Sequence, residues 1–232
     1  MVRKIRLVGV VLIFALAISS SAFAAPKEDK DLQKLTFVHY VKAHGRAGTP
    51  TDEVADYKLI SGGVKLAANS KYKVDAAGAP KGASTAIAAS VDEWQRYTAE
   101  DPIVGVNAAS ANVISWGPLQ TGTIAVTQMW IDPPTKTIVK FTITFNTYYG
   151  WSTSSAGQAN IMDVQNIATH ELGHAFGLND LYSNRDSLLT MYGYSDFADI
   201  DKRTLGNGDA LGAQKLFGIG TVWVVTGLAA AD

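Results

Sequence analysis

The chain has 232 residues, in which 20 Lys and Arg are balanced by 21 Asp and Glu, and it contains no cysteine. Without an excess of basic side chains the protein has no field that would attract nucleic acid, so no nucleic-acid partner is expected. The lack of cysteine excludes disulfides and thiol switches, so stability must come from packing and from bound ions. The length fits one domain with extensions.

The first 24 residues have the pattern of a secretory signal peptide. Basic residues at positions 3, 4 and 6 precede an apolar run from Leu7 to Ile18, and Ala22-Phe23-Ala24 offers small residues for cleavage. The alternative is an uncleaved membrane anchor, but the run is short for a bilayer span. We therefore predict a secreted, extracellular protein that starts at Ala25 and has no stable membrane association. Loss of three basic residues would leave 17 Lys and Arg against 21 Asp and Glu.

Residues 25–56 are predicted to form an N-terminal extension and linker ahead of a main domain at 57–218. Within the extension, the run from Leu35 to Val41 has the β-branched and aromatic composition of a short strand. A histidine in such a segment is more often a packing or surface residue than a ligand, but His39 and His44 are kept as spare candidates for a second metal. The sequence leaves open whether the extension is a short inhibitory pro-segment.

The first part of the main domain is predicted to contain one helix and several strands. The helix begins with Ser84 as its N-cap and carries an apolar stripe at spacings of three and four, formed by Ile87, Val91, Trp94 and Tyr97. Strands are predicted at 57–60, 71–74, 112–116, 122–131 and 137–145. In the last strand, alternate residues are expected to share one packed face: Val139, Phe141, Ile143 and Phe145.

The sequence His-Glu-Leu-Gly-His is the motif on which a functional prediction depends. Two histidines four apart on a helix project from the same face, so His170 and His174 can hold one metal ion, with Glu171 beside them as a base. Gly177 is predicted to end the helix. The reversed chain could then bring Asp180 to the metal as a third ligand.

This ligand set suits the hydrolysis of a peptide bond. Zinc held by three protein ligands keeps a fourth position open, acidifies water and accepts negative charge from a carbonyl oxygen. Glu171 would take a proton from water and pass it to the leaving nitrogen. The five-residue motif alone is also found on ordinary polar surface helices, but Gly177, Asp180 and the methionine at Met191 extend it in the pattern of longer metallopeptidase motifs.

Three segments resemble the matrixin family of metzincin metallopeptidases, and closely the matrixin-like proteins of archaea and bacteria. They are the motif helix, with Asn160 or Asp163 as its cap, the turn Thr190-Met-Tyr-Gly-Tyr, and the helix from Asp209 to Phe217. The resemblance implies an α+β, sandwich-like domain with a twisted mixed sheet of five strands, a long backing helix, the active-site helix, a Met-turn and a C-terminal helix. In it, Met191 would lie under the metal as an apolar floor, and substrate would add as a strand along the sheet edge.

The resemblance also implies a zinc-dependent endopeptidase that binds Zn²⁺ and acts on protein or peptide substrates. With the signal peptide, we expect a secreted enzyme, and we expect it to be a monomer. Structural Ca²⁺ is left open. The chain departs from the family in using Asp180 where histidine is usual, in lacking the cysteine that holds animal matrixins latent, and in having Gly193 where some metzincins place a tyrosine. The alternatives are a catalytically silent, metal-stabilised binding module of the same fold and a zinc hydrolase acting on something other than peptide. The tail at 219–232 is expected to be an edge strand or a frayed end.

Overall fold

The computed structural model describes residues 31–42 and 55–220. The predicted signal peptide, His44 and nearly all of the C-terminal tail lie outside these residues. No helix in the described part of the chain is long and apolar enough to cross a membrane.

Three α-helices and ten strands make up the regular structure of the described residues. The helices are α1 (Ala83–Gln95), α2 (Val164–Phe176) and α3 (Asn207–Phe217). The strands are β1 (Gln33–Val41), β2 (Lys65–Leu66), β3 (Ser70–Val74), β4 (Ile103–Val106), β5 (Val113–Gly117), β6 (Thr123–Asp132), β7 (Thr137–Asn146), β8 (Trp151–Ser152), β9 (Met162–Asp163) and β10 (Tyr194–Ser195).

The main sheet has the strand order β10-β1-β6-β7-β5-β3-β4, with β2 paired to the start of β7. Strands β7, β5, β3 and β4 pair in parallel, and β6 runs antiparallel to β7. The run β4-β3-β5-β7-β6 is the mixed five-stranded sheet that the family resemblance predicts, which confirms the expected α+β fold. Strands β1, β2 and β10 extend it.

Strand β1 forms where a strand was predicted, but it is part of the main sheet. It pairs antiparallel with β6 along its whole length and parallel with β10 at Tyr40 and Val41. The register with β6 shifts between His39 and Tyr40, so a β-bulge interrupts the ladder there. The N-terminal segment therefore covers what would otherwise be the antiparallel edge of the sheet.

Helices α1 and α2 pack together against the sheet and bury the core. Ile87, Val91 and Trp94 are buried as the apolar stripe predicted. The Trp94 Nε1–H donates to the Thr169 carbonyl oxygen at 2.7 Å, and the Trp94 ring stacks on Phe176 at 5.6 Å between centroids. The backing helix thus supports the middle of α2 directly.

Four local predictions are wrong. Ser84 does not cap α1, because the helix begins one residue earlier after Gly82, which adopts a left-handed φ of 86°. Tyr97 lies beyond the end of that helix. The strand expected at 57–60 is a single bridge followed by a 3₁₀ turn. Val139 is 44% exposed, because a register shift in the pairing of β6 with β7 turns Ile138 inward in its place.

Candidate metal centre

The start of α2 is fixed by Asp163, one of the two caps that the sequence suggested. Its Oδ1 accepts a hydrogen bond from the backbone N–H of Asn166 at 2.7 Å and also from Arg203 Nε at 2.8 Å. A side chain that caps the first turn and pairs with a guanidinium holds the helix end in a defined position.

The two histidines of the motif project from α2 side by side and are completely buried. The Nδ1 of His170 lies 2.7 Å from the Thr190 carbonyl oxygen, and the Nδ1 of His174 lies 2.9 Å from the Leu178 carbonyl oxygen. Each Nδ1–H therefore donates to a backbone acceptor, which leaves both Nε2 atoms as electron-pair donors facing the same point.

Gly177 reverses the chain after α2. Its φ is 118°, and its N–H donates to the carbonyl oxygens of Gly173 and His174. A Cβ at this position would lie 2.2 Å from the Val64 carbonyl oxygen, so the close approach requires glycine as well as the left-handed backbone. The reversal places Asp180 Oδ1 3.2 Å from His170 Nε2 and 3.5 Å from His174 Nε2.

These three side chains fit a metal ion. His170, His174 and Asp180 offer ligand atoms that all lie within 4.8 Å of one another. Two of these atoms, His170 Nε2 and Asp180 Oδ1, are buried and make no hydrogen bond among residues 31–42 and 55–220. Buried polar atoms without partners are costly, and two imidazoles with one carboxylate are a ligand set that Zn²⁺ accepts.

Hydrogen bonds hold both the backbone and the side chain of Asp180. Its N–H donates to Asn179 Oδ1 at 2.9 Å, and its Oδ2 accepts a hydrogen bond from the Tyr182 hydroxyl at 3.1 Å. Burial opposes ionisation, but His174 and His170 outweigh it and hold the pKa of Asp180 below its usual range. The carboxylate is therefore the ionised form that a metal ligand must be.

Glu171 lies next to these three side chains without joining their group. Its Oε2 accepts a hydrogen bond of 2.5 Å from Thr127 Oγ1 on β6, whereas its buried Oε1 makes no hydrogen bond within the described ranges. Burial raises the pKa of Glu171 to about 7, against the opposing effects of His174 and Thr127. One oxygen is anchored while the other is free to exchange a proton.

The turn that contains Met191 lies directly beneath α2. A Cβ on Gly173 would lie 2.2 Å from Met191 Sδ and 2.6 Å from Trp94 Cζ2, so only glycine lets helix and turn come this close. The buried Asp209 carboxylate accepts the N–H groups of Thr190 and Met191 at 2.6 and 3.0 Å. Helix α3 therefore fixes the turn whose Thr190 carbonyl orients His170.

His39 of β1 meets the same site from above. Its Nδ1 lies 3.5 Å from Glu171 Oε1, its Nε2 lies 3.1 Å from Ser195 Oγ, and its ring centroid lies 3.8 Å from that of His170. Two residues earlier, the ring of Phe37 stacks on His174 at 4.2 Å. The spare histidine of the sequence is thus part of the centre rather than of a second, separate site.

The sequence did not point to four residues that shape the centre. Gly173 occupies an unspecified position of the motif, Asp209 was assigned only to a helix, and Thr127 and Tyr182 were given no role. A recognisable signal existed for Asp209 alone, since a buried helix-start carboxylate following a turn often accepts backbone N–H groups. Thr127 and Gly173 act through contacts with residues farther along the chain, and Tyr182 donates to Asp180 only two positions away, a contact that no motif in the sequence marks.

A sheet, a histidine helix and an underlying methionine turn in this arrangement are those of a metzincin metallopeptidase. The family model described as Matrixin matches residues 59–218, and the chain belongs to the matrixin family. No individual curated protein matches it. Membership supports a zinc-dependent metallopeptidase in general terms, with protein or peptide substrates.

Proposed function

We propose that the protein is a secreted zinc-dependent endopeptidase in which His170, His174 and Asp180 hold the metal and Glu171 is the general base. The observation that carries the proposal is a pair of neighbouring groups that share His170: one joins it to His174 and Asp180, and the other joins it to Glu171 and His39. The atoms His170 Nε2, Asp180 Oδ1 and Glu171 Oε1 are buried and make no hydrogen bond among the described residues. A structural metal site would not need the carboxylate of Glu171 alongside.

The side chains of the centre have different roles in peptide hydrolysis. Zn²⁺ bound between the imidazoles and Asp180 would polarise the scissile carbonyl and acidify a water molecule. Glu171 accepts the proton of the attacking water at Oε1 and delivers it to the departing amine nitrogen. Thr127 keeps Oε2 in place, so that Oε1 alone turns toward the reacting atoms.

Secretion, the monomeric state and structural Ca²⁺ are further parts of the proposal. Secretion is supported by the signal-peptide pattern of the first 24 residues. For Ca²⁺, the groups of acidic and histidine side chains close enough to share an ion within residues 31–42 and 55–220 are both at the zinc centre. A calcium site elsewhere in these residues would therefore need other oxygen ligands as well, such as backbone carbonyls, side-chain amides or water.

The test is cleavage of a denatured protein by the zinc-loaded full chain, followed by mass spectrometry of the products over an extended incubation. Cleavage is expected to stop with chelator and to fall at least about 10³-fold in Glu171→Gln, which keeps the Thr127 hydrogen bond and the metal ligands. Stoichiometric zinc binding without cleavage of any unfolded substrate would favour the silent binding module instead. For this conclusion, cleavage must be absent both in the intact chain and after strand β1 has been displaced from the metal centre.

A further inference from the structure

We propose that strand β1 is an internal occupant of the substrate cleft, which keeps the centre closed until the strand is displaced, and that Phe37 and His39 are the side chains that seal it. This inference rests on the endopeptidase function proposed above. It is carried by the position of β1 between two strands that flank the metal centre and by the contacts of its inward face.

The cleft has two walls, each with a strand edge that can pair with an extended chain. Strand β6 carries Thr127, which holds Glu171, and β10 follows the turn at Met191. Strand β1 pairs antiparallel with β6 and parallel with β10, so it fills the space between the walls. An extended peptide that entered from solvent would use the same backbone groups, because unpaired strand edges are templates for strand addition.

Side chains on the inward face of β1 contact the residues of the candidate metal centre. Alternate residues of a strand share a face, and Phe37 and His39 both point at the centre. Phe37 covers His174, while His39 contacts Glu171 Oε1 and His170. His39 forms a group with His170 and Glu171 but not with His174 and Asp180, which places it beside the proposed general base.

The β-bulge in strand β1 lies at His39, one of the two residues proposed to seal the cleft. The ladder between β1 and β6 is regular from Gln33 to His39 and shifts between His39 and Tyr40. Bulges re-aim side chains and end regular pairing next to active sites. Here the bulge coincides with a histidine whose Nδ1 is buried and makes no hydrogen bond in the described part of the chain. A strand serving only to extend the sheet would not need a polar group at this place.

Strand β1 is also weakly built into the core. His39 is its single buried residue, while Leu35, Phe37 and Val41 are only partly buried against the core. Most of its free energy of association must therefore come from backbone pairing and from the two rings over the histidines. Such a strand can leave without opening the cavity that loss of a core strand would create.

The experiment uses the full chain with the recognition sequence of a specific protease inserted between residues 43 and 54, compared before and after cutting. Binding is measured in the Glu171→Gln background, so that peptides are not cleaved. A fluorescent peptide with the sequence of residues 33–41 should enter the cut chain and displace the N-terminal fragment. It should bind the uncut chain far more weakly, since a tethered strand competes at an effective concentration of about 1 mM.

Three altered peptides separate the sealing side chains from the backbone. Peptides with Phe37→Ala or His39→Ala should bind at least about tenfold more weakly than the natural sequence. The peptide with Thr36→Ala, whose side chain is exposed on the opposite face, should bind within about twofold. Equal binding of all four peptides would overturn the proposal. Release of the fragment only together with loss of the folded circular-dichroism signal would overturn it as well.

The activity arm separates this inference from the proposed function. In the chain with Glu171 intact, cutting should raise hydrolysis of a quenched fluorescent peptide at least about tenfold, and added 33–41 peptide should reverse the gain. Peptide exchange without any hydrolysis would support β1 as the occupant of the cleft and would contradict the proposed endopeptidase function. If the peptide exchanges with the N-terminal fragment but cutting leaves the rate of hydrolysis unchanged, β1 has no inhibitory role.

Discussion

The candidate metal centre lies between a floor and a roof that differ in how they are packed. The floor, α2 with the turn at 190–192, buries twelve of the thirteen residues of α2, whereas the roof, β1, buries one of its nine residues. The floor is held by glycine contacts, aromatic packing and the Asp209 carboxylate, and the roof mainly by strand pairing. The parts that orient ligands are thus rigid, and the part that covers them is separable.

The largest expected effect contrasts one phenylalanine from each side. Phe176→Ala should lower the free energy of unfolding of the metal-free chain by about 4 kcal/mol, because it empties a site in the core between Trp94 and Phe217. Phe37→Ala should cost only about 1 kcal/mol, since that ring is only partly buried against the core and its ring contact is with His174. Chemical denaturation of both variants measures the difference. Similar losses would show that the roof is as integral as the floor.

The next effect concerns the contact between α2 and the methionine turn. Gly173→Ala should destabilise the metal-free chain by about 3 kcal/mol, because the added methyl group would overlap Met191 Sδ and Trp94. Gly150→Ala is the matched control, since its Cβ would meet Ile161 at an ordinary 3.8 Å. Thermal unfolding compares the two. A tolerated Gly173→Ala would mean that the floor can move apart, contrary to the rigidity inferred above.

A third effect, on the order of 2 kcal/mol, comes from burying Glu171 between floor and roof. The pKa of Glu171 is raised to about 7 in the folded chain, and the unfolded chain has the ordinary value near 4.5. The folded state therefore binds more protons between these values, and this contribution to stability is lost as pH rises through the window. The metal-free wild type should lose stability between pH 5 and pH 7.5 relative to Glu171→Gln.

Denaturant titrations of both metal-free proteins at the two pH values give this difference directly. The proposed ligands His170, His174 and Asp180 are present in both proteins, so their own titrations largely cancel. A difference that stays constant with pH would show that Glu171 is ionised when the roof is closed, and would argue against its burial by β1.

The floor could be predicted from sequence because its determinants are local. His170 and His174, the helix end at Gly177 and the cap at Asp163 all lie within one stretch of 15 residues, and helix geometry converts their spacing into position. Four of the five strands of the mixed sheet were predicted from their composition, and the number five came from the family resemblance. Strand β4 was not predicted, and a strand was expected instead at 57–60. The roles of the individual ligands remain a prediction that metal analysis must test.

The roof could not be predicted because its contacts join distant parts of the chain. His39 meets Ser195 across 156 positions, and Thr127 meets Glu171 across 44. The composition of residues 33–41 indicates a strand but does not say which partner it pairs with, since pairing depends on which edge is free. Gly173 is similar, because the need for glycine arises only once Met191 and Trp94 approach from two sides.

The smallest expected effect tests how the floor holds its third ligand. The Tyr182 hydroxyl donates to Asp180 Oδ2, and the Tyr182 ring lies so close to Gly193 that a Cβ there would be 2.5 Å from Cε1. Gly193 therefore makes room for Tyr182, which orients the Asp180 carboxylate. Position 193 itself is where some metzincins have a tyrosine. Tyr182→Phe should lower zinc affinity about tenfold, because an outer hydrogen bond that fixes a ligand is lost.

Competition with a chromophoric chelator measures that affinity, and Tyr148→Phe is the control because Tyr148 is 66% exposed. Since Phe keeps the ring against Gly193, the variant removes the hydroxyl alone and leaves the packing of the floor in place. Unchanged zinc affinity would mean that Asp180 is positioned by the chain reversal at Gly177 without help from Tyr182. A loss of affinity accompanied by a fall in the free energy of unfolding of the metal-free chain would instead assign the hydroxyl to folding rather than to ligand orientation.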